Sequence, residues 1–160
     1  EVDLWIKRIW KFVKNEESVL EVQVPYELEK KYNAEINGIM FKGIFDRIDK
    51  VFTKDDKELY RVIDYKSGKP KLYTQKTVSN ASDFQMEIYS ELLSAQKMNV
   101  IGYYFYSLKD AELIEEEQFN AKKELLYSYI DILKEKNQNF SQTDDISKCR
   151  NCPYKIICQK

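Results

Sequence analysis

Residues 43–66 read GIFDRIDKVFTKDDKELYRVIDYK. Two short apolar-rich segments flank a polar turn, Thr53 to Glu58. The first carries Asp46, and the second ends in Asp64-Tyr65-Lys66. Side chains alternate along a strand, so Asp64 and Lys66 share a face and Tyr65 points the other way, its carbonyl still able to turn toward an ion. Asp46 meets them if segments 39–52 and 59–66 pair as a hairpin. Two carboxylates and a carbonyl suit a hard divalent cation, which takes about six oxygens, several of them from water. A lysine beside such an ion can orient a water or offset charge on a phosphoryl oxygen. The plainer alternative is that these side chains are solvated or paired across a sheet. Arg47 and Asp49 read as a structural ion pair on the opposite face.

Working outward, residues 3–17 have apolar side chains at helical spacing. Residues 19–32 alternate with a period of two, and Pro25 places that strand at an edge or a bulge. A turn is expected from Asn33 to Asn37-Gly38. The segment 67–82 is a polar loop holding Lys69, Lys71 and Lys76 beside the expected site. A helix over 83–97, capped by Ser82 or Asp83, is followed by a β-branched and aromatic strand at 99–107. A long amphipathic helix spans 117–137, with Phe119, Leu125, Leu126, Tyr129, Ile132 and Leu133 on its apolar face. The order helix, three strands, helix, strand, helix predicts an α/β (α+β) domain, a central mixed sheet flanked by helices.

Composition narrows the chemistry. The 160 residues contain 26 Lys and Arg against 27 Asp and Glu, so any polyanion must be met by a local patch. The chain has no histidine, which excludes Ser/His/Asp and Cys/His catalysis and any His-ligated metal built from these residues. No apolar run is long enough to span a membrane, and a cytoplasmic location is expected. Three cysteines occur, all near the end, as Cys149-x2-Cys152-x5-Cys158. Thiolates at this spacing suit zinc or an iron–sulfur cluster, and either normally takes four ligands. Reduced free thiols on the tail are the plainer reading.

Three segments carry a resemblance: Gly43-Ile44-Phe45-Asp46-Arg47-Ile48-Asp49, Asp64-Tyr65-Lys66-Ser67-Gly68, and Gln85-x3-Tyr89. In order and spacing they resemble the motifs of RecB-like nucleases of the PD-(D/E)xK superfamily, closest to the AddB-type domain of helicase–nucleases. The resemblance covers residues from about 19 to 160. It implies a restriction-endonuclease-like fold and DNA cleavage with Mg²⁺ or Mn²⁺, exonucleolytic on single-stranded ends, in repair or recombination with a helicase. It also implies roles. Asp46 and Asp64 would hold the metal with the Tyr65 carbonyl, and Lys66 would be the catalytic lysine. Gln85 and Tyr89, at i and i+4 on one helix face, would position the DNA strand. Glu21 matches an accessory glutamate of the first strand. Related CRISPR-associated nucleases share the chemistry and give the nearest alternative. A further alternative is a DNA-binding or scaffolding module that keeps the fold without catalysis.

In the resembled family the three tail cysteines hold a 4Fe–4S cluster, with a fourth cysteine upstream. A metal-ligating histidine also lies upstream there. Both absences suggest that 1–160 is one nuclease domain from the C-terminal part of a longer chain, with 139–160 as its cysteine tail. On that expectation the isolated chain would bind metal weakly and cut poorly.

Overall fold

The computed structural model describes residues 2–19, 22–55, 57–136, 143–150 and 152–158. Its elements are α1 (Val2–Val19), β1 (Gln23–Ile36), β2 (Ile39–Val51), β3 (Leu59–Lys66), α2 (Gln85–Ala95), β4 (Val100–Ser107), β5 (Glu112–Glu115), α3 (Phe119–Lys134) and a short α4 (Ile146–Cys149). The strands form one mixed sheet in the order β1-β2-β3-β4-β5. Only β3 and β4 are parallel, joined across α2, as the strand–helix–strand step predicts. The chain forms two compact units, Glu1–Ile130 and Asp131–Lys160. Among the described residues no helix is long and apolar enough to cross a membrane.

The β1–β2 hairpin turns on two residues, Asn37 (φ +48°) and Gly38 (φ +82°). Both are left-handed, as a two-residue turn between right-twisted strands demands. The expected turn at 33–38 is therefore shorter, and β1 runs on to Ile36. β1 is an edge strand, and its register slips between Pro25 and Glu27, where proline has no N–H to give. The sequence reading missed β5, whose four residues Glu-Leu-Ile-Glu are too few to show a period.

The core under α2 joins Phe45, Ile48 and Val62 of the sheet to Met86, Tyr89, Leu92 and Leu93 of the helix. Strict alternation sends residues 45 and 48 to opposite faces, yet both lie in this core. The strand pair is distorted between them. Opposite, Glu29 has φ +50°, between the pairs Leu28↔Arg47 and Lys30↔Phe45. Asp46 sits at this distortion. Arg47 and Asp49 point to the other face, where the guanidinium pairs with Asp49 (2.5 and 2.7 Å) and with Glu16 of α1 (2.7 Å). That ion pair is where the sequence reading puts it.

The buried stripe of α3 differs from the expected one. It runs Lys122, Leu126, Ile130, while Tyr129 is 41% exposed. Lys122 Nζ lies 2.8 Å from Glu116 and 3.2 Å from Glu87 Oε1, and all three side chains are buried. The second contact is close but not aligned as a hydrogen bond, and neither Glu87 oxygen has a hydrogen-bond partner. Burial pushes the Glu87 carboxyl up to about 7, against the pull of Lys122. An ordinary glutamate in the unfolded chain titrates near 4.5. Between those values the folded state holds a proton that the unfolded state has released, so protonation stabilises the fold. The contribution is complete below about pH 4.5 and disappears as pH rises through about 7. Glu87→Gln should therefore flatten this part of the stability profile. The difference in urea-unfolding free energy between variant and wild type should move in the variant's favour from pH 5 to 8 by on the order of 2 kcal/mol.

Candidate active site

The β2–β3 ladder runs from Val51↔Leu59 to Arg47↔Ile63 and ends there. Beyond it the two strands part. The Tyr65 N–H is instead taken by Asp46 Oδ2 at 2.8 Å, so this carboxylate replaces a ladder partner and is drawn to the β3 terminus. Asp64 and Lys66 emerge on the α2 side of the sheet. The Tyr65 ring lies on the opposite side against Phe12 and Tyr106, with its hydroxyl 3.3 Å from Arg47. The hairpin expected from the sequence thus brings Asp46, Asp64 and Lys66 together.

α2 closes over them. The Gln85 side-chain carbonyl accepts from Lys66 Nζ (2.7 Å), and its amide donates to Asp64 Oδ1 (2.6 Å) and to the Tyr89 hydroxyl (2.9 Å). Tyr89 in turn donates to the Ile44 carbonyl. Tyr89 is also stacked on Phe45, with centroids 4.0 Å apart, so it is core and site at once. The helix begins at Gln85 rather than 83, and the Asp83 carboxylate accepts the Gln85 N–H at 3.1 Å.

Sequence reasoning assigned no purpose to Gly43 beyond its place in a motif. A Cβ there would lie 2.7 Å from Leu92 Cδ1 and 3.0 Å from the Tyr89 ring. Its absence lets α2 approach β2 closely enough for Gln85 to reach Asp64. The signal was a glycine inside a strand, which marks close approach of another element. Gly43→Ala should lower stability by about 1–3 kcal/mol. It should also lower kcat more than it raises KM, read from a thermal melt and a substrate titration. An unchanged kcat would show that the close approach of α2 does not govern Asp64 and Lys66.

Asp64 is 2% exposed. Burial raises its pKa, Lys66 lowers it, and Asp46 raises it. Lys66 Nζ is 2.8 Å from Asp64 Oδ2 but off the hydrogen-bonding direction, so Oδ2 is a buried acceptor with no hydrogen bond. A buried, unsatisfied carboxylate oxygen with a second carboxylate nearby fits a Mg²⁺ or Mn²⁺ site. Among the described residues no three His, Cys, Asp or Glu side chains are grouped for a metal, so the remaining ligands would come from the backbone and water.

Glu21 lies outside the described residues. In the second unit, Asp145 caps α4 through the Ser147 N–H (3.0 Å), and Cys149 Sγ lies 3.8 Å from the Asp145 carbonyl. Cys149 is buried, and Cys152 and Cys158 are half-buried. Among the described residues the expected cluster-ligating trio is not gathered as a ligand set. Short-range turn bonds such as Cys152 N–H to the Cys149 carbonyl (3.2 Å) shape this backbone, and three thiolates leave a cluster one ligand short.

The family model of the PD-(D/E)XK nuclease superfamily matches residues 3–159. No curated protein matches the chain.

Proposed function

Because the chain belongs to the PD-(D/E)XK nuclease superfamily, we propose that it is a metal-dependent deoxyribonuclease reacting at Asp46, Asp64 and Lys66. One observation carries the reading. A buried carboxylate with an oxygen free of hydrogen bonds stands beside a lysine and a second carboxylate, where two strands part. Asp46, Asp64 and the Tyr65 carbonyl would hold Mg²⁺ or Mn²⁺, which when bound lowers the pKa of a water and stabilises phosphoryl charge. Lys66 brings a positive charge to the same point and offsets charge gained by the phosphoryl oxygens. Gln85 holds Lys66 and Asp64 in one geometry through both ends of its amide. Tyr89 locks Gln85 to β2, and this face of α2 positions the DNA strand by fixing the groups that meet it.

Exonucleolytic action on single-stranded ends, in repair with a helicase, is supported by the D-R-I-D and D-Y-K-S-G segments. A 4Fe–4S cluster on Cys149, Cys152 and Cys158 is supported by their spacing and would need a fourth ligand. Anaerobic reconstitution with iron and sulfide, read by visible absorption, tests it. The main test is cleavage of end-labelled linear and circular single-stranded DNA by the full chain with Mg²⁺ or Mn²⁺, against EDTA. Nucleotide release from linear DNA with circles intact is expected. No cleavage with either metal would overturn the proposal.

A further inference from the structure

The β2–β3 ladder stops at Arg47↔Ile63. One step further, the same register would set Asp46 directly against Asp64, and like charges so placed repel. The strands part there instead, so no ladder bond fixes the opening between the two carboxylates. Among the described residues two direct hydrogen bonds cross it, and both end on Tyr65. Asp46 Oδ2 accepts the Tyr65 N–H at 2.8 Å. From the α1 face of the sheet, Arg47 Nη1 donates to the Tyr65 hydroxyl at 3.3 Å. Arg47 and Tyr65 are diagonal neighbours across the two strands, a spacing that long side chains span.

The guanidinium is a fixed anchor. It is buried, its Nε and Nη2 are taken by Asp49, and Glu16 of α1 holds Nη1 at 2.7 Å. The Tyr65 ring is held edge-on against Phe12 and Tyr106. A ring fixed at both its faces and its hydroxyl passes that position on to the backbone that carries it. We propose that the Tyr65 hydroxyl, held by Arg47, is a positioning group. It ties the end of β3 to β2 after the ladder has stopped, and so sets the opening between Asp46 and Asp64. The N–H that orients Asp46 and the carbonyl offered to the metal both belong to Tyr65 and turn with it. Removing Arg47 itself would strand the buried Asp49, so the hydroxyl is the cleaner handle. The proposal rests on the metal-site reading above.

The test compares Tyr65→Phe with Tyr106→Phe in the full chain. Tyr106 is the β4 partner of Tyr65 on the same face, and its buried hydroxyl has no hydrogen-bond partner among the described residues. Amide hydrogen exchange is read by NMR in EDTA and corrected for intrinsic rates. At position 65 it should run about fivefold faster in Tyr65→Phe, the loss of one ordinary hydrogen bond. The ladder amides of residues 59–63 should stay within twofold, which a general loss of stability would not allow. Tyr106→Phe should leave all of these amides within twofold. Mn²⁺ affinity, from the electron paramagnetic resonance signal of the free ion, should fall about fivefold in Tyr65→Phe alone. An unchanged amide at position 65, equal acceleration in both variants, acceleration that extends to the ladder, or measurable Mn²⁺ affinity equal in all three proteins would overturn the proposal and leave the nuclease reading standing. No Mn²⁺ binding by the wild type, with exchange as expected, refutes the metal site and leaves the tether between β2 and β3.

Discussion

Lys66→Ala and Asp64→Ala are each expected to lower DNA cleavage by roughly 10²–10³-fold or more, the scale of losing a main electrostatic group at a reacting centre. The two variants should differ in stability. Asp64→Ala removes a buried carboxylate whose charge is already disfavoured by burial, so the fold loses little. Lys66→Ala leaves Asp64 without its neighbouring ammonium and the Gln85 carbonyl without its donor. Unpaired buried polar groups cost about 1–3 kcal/mol, so this variant should melt earlier. Asp64→Asn keeps the shape and the Gln85 contact while removing charge, and it should be as inactive as alanine. Single-turnover cleavage with thermal melts separates the effects. Cleavage within tenfold of wild type in Lys66→Ala and Asp64→Asn would end the assignment of these residues.

The second large effect is on the fold. Lys122→Ala should cost roughly 3–5 kcal/mol, because it leaves the buried Glu116 carboxylate, and above about pH 7 Glu87 as well, with no cation beside it. For a chain of this size that lowers Tm by roughly 10 °C. The consequence reaches the site. Lys122 Nζ lies 5.6 Å from the centre of the Tyr73 ring, and the Tyr73 hydroxyl accepts the Ser82 N–H at 3.1 Å, just before α2. Losing Lys122 therefore loosens the 67–82 loop beside Asp64 and Lys66. Above about pH 7, where Glu87 would otherwise lose its proton with no cation beside it, adding Glu87→Gln to Lys122→Met should restore part of the lost stability. If the double variant is no more stable than Lys122→Met, Glu87 is not the group that Lys122 neutralises.

Several features were legible before any coordinates. The parity of Asp64, Tyr65 and Lys66 put the first and third on one face, because a strand's period leaves no other choice. Pro25 placed β1 at an edge or a bulge, since its nitrogen has nothing to donate, and β1 has both. Gln85 and Tyr89 shared a helix face by spacing alone. The Lys122 cluster was not legible, because a lysine at an amphipathic helix position ordinarily faces water. Nor was the break at Asp46, where Phe45 and Ile48 both turn inward against the alternation.

By itself the sequence determined the order of elements apart from β5, the mixed sheet, and which carboxylates and lysine could meet at the end of β3. These follow from backbone periods and side-chain chemistry, which are local. Only the tertiary structure decided how those groups are held. Where β2 and β3 part, Asp46 takes up a main-chain N–H that the ladder no longer satisfies. The missing Cβ of Gly43 lets α2 settle close enough for one amide to bridge Asp64 and Lys66. Both are outcomes of packing between residues far apart in the chain, where steric fit and unsatisfied polar groups, rather than local periodicity, set the geometry.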